Sequence, residues 1–143
     1  MRWVAPLAVV GSMLSLMLGA CSSDVGPSKE ELKAQWEAQN VVPENYKQDL
    51  LAFLRTYLND PSNVRDAAVS QPMLKNIGPG ERYVACVRYN ARNSDHKYPG
   101  VKTGVATYVA GKLDQFSDGK RETEGLCKDA TYAPFPELQK LQR

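Results

Sequence analysis

The sequence predicts an α+β fold in which N-terminal helices pack on a small antiparallel sheet of three to four strands, with a disulfide-linked C-terminal segment. Three observations point there. Apolar residues recur at spacings of three and four between residues 44 and 58. Apolar and polar residues alternate over residues 82–90 and again on either side of Gly111. Cys86 and Cys127 are the only cysteines beyond residue 21.

Taken in order, residues 22–27 (Ser-Ser-Asp-Val-Gly-Pro) are small or polar and read as a flexible spacer. Ser28 and Glu31 match a capping box and open a helix that runs to about Gln39. Its sizeable apolar residues are Leu32 and Trp36, one turn apart, a stripe narrow enough for a solvated tether helix. The sharper alternative has Trp36 docking on a partner. Pro43 restarts the chain, and a second helix is expected from about Glu44 to Leu58. Tyr46, Leu50, Leu51, Phe53, Leu54, Tyr57 and Leu58 give it a broad apolar face, which a sheet or another helix must cover. Asn59-Asp60-Pro61 ends it, because proline cannot continue the ladder and disfavours helix in the residue before it.

The period then changes to two. Residues 64–70 suggest a short strand, and residues 70–80, with two prolines and two glycines, read as a loop. Residues 82–90 form the clearest strand, with Tyr83, Ala85, Val87 and Tyr89 on one face and Arg82, Val84, Cys86, Arg88 and Asn90 on the other. After a polar loop over residues 91–100, residues 103–110 and 112–117 read as a hairpin turning at Gly111. The Tyr83/Val87 face belongs under the second helix. If Cys86 bonds Cys127, the C-terminal segment crosses the opposite face, and Tyr132, Phe135 and Leu138 are expected to cover Val84 there.

The first twenty residues differ in kind from the rest. Arg2 is the only charge before Asp24, and residues 3–20 are apolar apart from Ser12 and Ser15, interrupted by Pro6, Gly11 and Gly19. This is the plan of a secretory signal, and the run is also long enough to be weighed as a membrane-spanning helix. Leu18-Gly19-Ala20-Cys21 decides between them, since it resembles the lipobox of bacterial lipoproteins. The resemblance implies that the Cys21 thiol takes a diacylglyceryl group and that a peptidase cleaves before Cys21, where residues 19 and 20 are small. A further acyl chain would then join the new N-terminus. Two acyl chains hold a protein at a bilayer stably where one does so only marginally. Ser22, in place of the aspartate that favours inner-membrane retention in enterobacteria, implies the outer membrane, facing the periplasm. The chain then divides into a signal peptide (residues 1–20), a lipidated tether with a short helix (21–42) and a globular domain (43–143).

Loss of residues 1–20 removes Arg2 and lowers the formal net charge from +2 to +1. That balance argues against a nucleic-acid surface, which needs clustered positive charge. Gly78-Pro79-Gly80 lacks the lysine and serine of a phosphate-binding loop. With Cys21 assigned to the anchor, Cys86 and Cys127 remain as a pair in an oxidising compartment. A disulfide between them would stabilise the fold by about 4 kcal/mol in the chain-entropy model. Two separate buried thiols or a metal site are the alternatives. The metal site is disfavoured because His96 is the one histidine and no Cys-x-x-Cys occurs. No cofactor is expected.

No catalytic set convinces. Ser94, Asp95 and His96 are adjacent in a loop, whereas a working triad converges from separate elements. Asp114, Asp118, Glu122 and Glu124 mix with Lys112, Lys120 and Arg121 and read as a solvated surface. The candidate binding surface is Arg82, Arg88, Asn90, Arg92 and Tyr98, with Tyr83 and Tyr89 nearby, residue types that interfaces favour. Three stretches, residues 49–61, 82–90 and 132–138, resemble small cell-envelope lipoproteins of alphaproteobacteria, a group without an assigned activity. The resemblance spans residues 44–141 and implies an address and domain limits. The expected function is a non-enzymatic envelope lipoprotein, joined to the membrane through Cys21, that accessorises envelope structure or assembly by binding a protein or cell-wall partner. One alternative is a periplasmic inhibitor of a hydrolase such as lysozyme, acting through residues 90–99. The other is an enzyme of unknown class.

Overall fold

The structure, a computed structural model, describes residues 25–142. The expected signal peptide, the lipobox-like residues 18–21 and the beginning of the expected spacer lie outside these residues. The elements run α1 (Lys29–Glu37), α2 (Tyr46–Tyr57), β1 (Asp60–Ser70), β2 (Met73–Ile77), β3 (Gly80–Arg92), β4 (Lys102–Val109), β5 (Lys112–Ser117), α3 (Lys120–Leu126), β6 (Tyr132–Pro134) and α4 (Pro136–Gln139). All strand pairs are antiparallel, in the order β5-β4-β3-β1-β6, with β2 also paired to β3. The fold is α+β as expected, with six strands rather than three or four.

Two strands were not expected: β6 in the tail, and β2 within residues 70–80, which read as a loop. There β2 pairs Met73–Ile77 against residues 80–84 of β3, and Gly78, at φ +68°, makes the tight turn. On the same side of β3, β1 pairs with residues 87–92, so β1 and β2 lie end to end. Cys86 falls at their junction, and its N–H donates to the Ser70 hydroxyl at 2.9 Å, which fills the gap in the ladder. The weak strand signal at 64–70 proves to be an eleven-residue strand with two register shifts. Asn63 and Asp66 take left-handed conformations there, at φ 56° and 53°.

One face of the sheet carries α2. Tyr46, Leu50, Leu54 and Leu58 recur every four residues and bury against Ala85, Val87, Tyr89, Ala106 and Tyr108. The Tyr108 hydroxyl donates to the Tyr46 carbonyl at 3.2 Å. Beside that seam, Phe53, Tyr57 and Phe116 form an aromatic trio with ring centroids 4.9–5.1 Å apart, Phe53 stacked on Tyr57 and Tyr57 edge-on to Phe116. Gly104 on β4 lies directly beneath the Phe116 ring, which occupies the space a Cβ would need.

The opposite face is smaller: Val84, Cys86, Val105 and Cys127 are buried, flanked by Met73, Ile77, Leu126, Ala130 and Tyr132. The Cys86–Cys127 disulfide joins them, with Cα atoms 5.8 Å apart. As expected, the segment carrying Cys127 crosses this face, through α3. The tail does not stay there. Tyr132 covers the disulfide side, but Phe135 and Leu138, both fully buried, pack in the core on the α2 face. The reason is geometric. As an edge strand, β6 sends successive side chains to opposite faces, so the tail passes around the edge beside β1.

The capping box of α1 is present in both directions, Ser28 with Glu31. This helix is docked. Trp36 lies over Gly78 and Gly80, and the Arg82 guanidinium sits 3.9 Å from its ring centroid. Arg82 donates to the Trp36 carbonyl, to Gln39 Oε1 at 2.8 Å and to Asn40 Oδ1 at 3.5 Å. After α1 the chain grips the β4–β5 turn, where the Ala110 N–H donates to the Gln39 carbonyl at 2.9 Å. Ala110 and Gly111 both have positive φ, 50° and 75°, the pattern of a type I′ hairpin.

Candidate functional site

The five residues expected to share a binding surface separate into three places. Arg82 is only 3% exposed, buried beneath α1, and is not a surface residue. Its burial is eased because neutral acceptors at and just after the end of α1 take its Nη donors, while its Nε is buried without a partner. Arg88 is exposed on the disulfide face, its guanidinium 3.9 Å from the Tyr132 ring centroid. It borders an open hollow of about 400 Å³ with Thr103, Thr123, Glu124 and Lys128. Arg92 and Tyr98 border one hollow at the end of the sheet remote from Arg82, and Asn90, two residues before Arg92 on β3, accepts from Gly100 there. The three tyrosines form no common patch: Tyr83 and Tyr89 pack on the α2 face, and Tyr98 sits beside β1.

The residue 90–100 segment is heavily bonded. The Asn93 Oδ1 accepts from the backbone N–H of Asp95 and of Lys97, each at 3.0 Å, and Asn90 Oδ1 accepts from Gly100 N–H at 3.2 Å. His96 holds φ 58° at its tip. Ser94, Asp95 and His96 therefore follow one another around a backbone turn. The Tyr98 hydroxyl donates to the Asn63 carbonyl at 2.6 Å, and the Arg65 guanidinium lies 4.0 Å from the Tyr98 ring centroid. Arg92 pairs with Asp60 at 2.6 Å. The Ser62 hydroxyl and, more weakly, the Ser62 amide and Arg92 hold the Asp60 carboxyl below the usual carboxylate range.

This end of the sheet has a hollow on each side. One, about 500 Å³ and open, lies against the double bulge of β1 and is bordered by Asn63, Arg65, Arg92, His96 and Tyr98. The other, about 300 Å³ and more enclosed, lies on the α2 face beyond the C-terminus of α2. Tyr89 forms its floor at 2% exposed; Tyr57, Lys102 and Asp118 stand around it. Burial, and then the charge of Asp118, push the Tyr89 hydroxyl far above the ordinary tyrosine range. Burial and the neighbouring Asp118 carboxylate raise the Tyr57 hydroxyl as well.

The carboxylates 114, 118, 122 and 124 do not converge. Glu124 pairs with Lys120 at 3.8 Å and Glu122 with Arg121 at 3.5 Å along α3, whereas Asp118 belongs to the hollow beside Tyr57. Among the described residues no three His, Cys, Asp or Glu side chains group as metal ligands, and no helix is long and apolar enough to cross a membrane. Sequence reasoning missed Lys102 and Tyr57 as members of a site. The ladder pairing of Lys102 with Tyr89 is what joins them, and it depends on a register that the sequence leaves open. Compared with protein-family models, curated proteins and solved structures, the chain matches none.

Proposed function

We propose that the chain is a non-enzymatic lipoprotein of the bacterial envelope, anchored through acyl chains on Cys21 to the outer membrane and facing the periplasm. Its folded domain binds another protein or a wall component there. One observation carries the reading. The sequence has three cysteines, the disulfide takes Cys86 and Cys127, and the one left over stands at the end of Leu18-Gly19-Ala20-Cys21. A persistent disulfide also suits an exported compartment. The non-enzymatic half rests on the turn that absorbs Ser94, Asp95 and His96.

Replacement of the anchor residue tests the address. Cys21→Ala should move the protein from the membrane pellet to unprocessed or soluble forms, and unchanged membrane processing would overturn the lipidation reading. Crosslinking in cells tests the binding half: covalent capture of a reproducible partner supports it, and recovery of the protein alone at full abundance counts against it. A second reading, an inhibitor of a hydrolase such as lysozyme, draws support from the residue 90–100 segment. Its hydrogen bonds preorganise a projecting turn, which lowers the ordering cost of insertion into a cleft. Full activity of a lysozyme panel in the presence of excess protein would remove that reading.

A further inference from the structure

We infer that residues 29–42, α1 with the five residues after it, are a releasable strap latched by Arg82, whose opening lengthens the link to the chain's N-terminal end. The strap buries no residue. Of its fourteen residues only Trp36 and Asn40 are even partly covered, while Pro43, where the strap joins the domain, is fully buried. So few covered side chains mark a segment that opens at low cost. A nine-residue helix is too short to persist in water by itself, so α1 depends on that thin contact.

The contact converges on one side chain. Arg82 stacks on Trp36 and gives its Nη hydrogens to the Trp36 carbonyl, Gln39 Oε1 and Asn40 Oδ1. Two further bonds complete it: Asn40 Nδ2 donates to the Glu81 carbonyl and the Ala110 N–H to the Gln39 carbonyl, both at 2.9 Å. The latch is weakened by its own burial. Arg82 is 3% exposed, yet among the described residues no carboxylate stands within 4 Å of its guanidinium. Among the same residues four buried side-chain polar atoms lack a hydrogen-bond partner, and two of them, Arg82 Nε and Trp36 Nε1, belong to this one contact. Release returns the cation and both N–H groups to water, which offsets part of what docking gains.

Release also changes reach. Docked, the strap bridges the β2–β3 and β4–β5 turns, with Trp36 over Gly78 and Gly80 and Val41 against Gly111. Freed and extended, its fourteen residues span up to about 50 Å. With the N-terminal end at a bilayer, the folded domain then stands that much further out. This consequence rests on the anchor proposed above, whereas release itself does not.

Amide hydrogen exchange on the full protein, purified in mild detergent from cells that make it, tests release whatever the chemical state of Cys21. The hydrogen-bonded amides of α1 and the Ala110 N–H, whose acceptor is the Gln39 carbonyl, should exchange together, at least about a hundredfold faster than those of β3. In Trp36→Ala and in Arg82→Gln the same amides should gain at least about another tenfold, while α2 and β3 keep their protection. If Arg82→Gln fails to fold, Trp36→Ala decides, because Trp36 lies outside both core clusters. Fluorophores at residues 28 and 112, installed as non-natural amino acids, should report a broader distribution reaching longer distances in Trp36→Ala than in the unmodified protein. Equal protection of α1 and β3, lost together at one urea concentration, would overturn the inference. So would a Trp36→Ala variant with α1 exchange unchanged, with β3 stripped of protection, or with the distance between the fluorophores unaltered.

Discussion

The two faces of the sheet are held by different physics. On the α2 face, a continuous apolar core runs from Leu50 and Leu54 through Val87 and Tyr108 to Phe135 and Leu138, all at most 1% exposed. Full burial of such side chains contributes about 1.5–3 kcal/mol each, so this face coheres through area alone. Among the described residues, the apolar cluster buried on the other face is confined to Val84, Cys86, Val105 and Cys127. That face carries a seven-residue helix, α3, whose one buried residue is Thr123. A patch that small does not hold a charged helix by burial, and the disulfide substitutes for the missing area. A single molecule can thus combine one face that folds in any compartment with another that needs an oxidising one.

Substitutions that discriminate between the faces test this contrast. Phe135→Ala opens a cavity in the α2-face core and should cost about 4 kcal/mol in urea unfolding, with or without reductant. Replacing Cys86 and Cys127 together by Ala should cost about 3 kcal/mol, somewhat under the chain-entropy figure because reduced chains retain residual structure. Adding reductant to the unmodified protein should reproduce that loss, while the double variant should not respond to reductant. Faster amide exchange should then spread through α3 and leave α2 protected. If reduction destabilised both faces equally, the contrast would be wrong.

Two smaller effects sharpen the picture at the boundary between faces and away from both. Ser70→Ala leaves the buried Cys86 N–H without its acceptor and should cost about 2 kcal/mol by the same unfolding measurement. That loss should persist after reduction, since it concerns the ladder and not the covalent link. Ala110→Gly relieves a left-handed alanine in the β4–β5 turn and should stabilise by about 1 kcal/mol in both redox states.

Legibility in the sequence followed the same division. The α2 stripe, the alternation along β3 and the hairpin at Gly111 are apolar patterns, and these elements appear where the patterns put them. The elements missed, β2 and α3, and the one foreseen too short, β1, lack such a pattern. In β2, Met73 and Ile77 meet the disulfide-side cluster while Pro72 and Gly78 flank a run of only five residues. In β1, Asn63 and Asp66 shift the register and erase the period of two. In α3, polar residues surround the few side chains that touch the sheet. The site suffered from a different error. Arg82 and Arg92 share a parity on β3, but ten residues of strand separate them by about 33 Å, so a shared face is not a shared place. What turned Arg82 inward was α1, whose stripe of Leu32 and Trp36 is too narrow to announce a docked helix.

The oxidised pair that the weaker face needs and the cysteine that the proposed lipobox would reserve are two halves of one proposal, in which the three cysteines have separate tasks. Mass spectrometry of the intact and non-reduced, digested protein from membranes tests it most directly. The account predicts a mature chain beginning at Cys21 and carrying diacylglyceryl and acyl masses, with residues 86 and 127 recovered in one disulfide-linked pair of peptides. An unmodified Cys21 within an uncleaved chain, or Cys21 found bonded to Cys86 or Cys127, would contradict it.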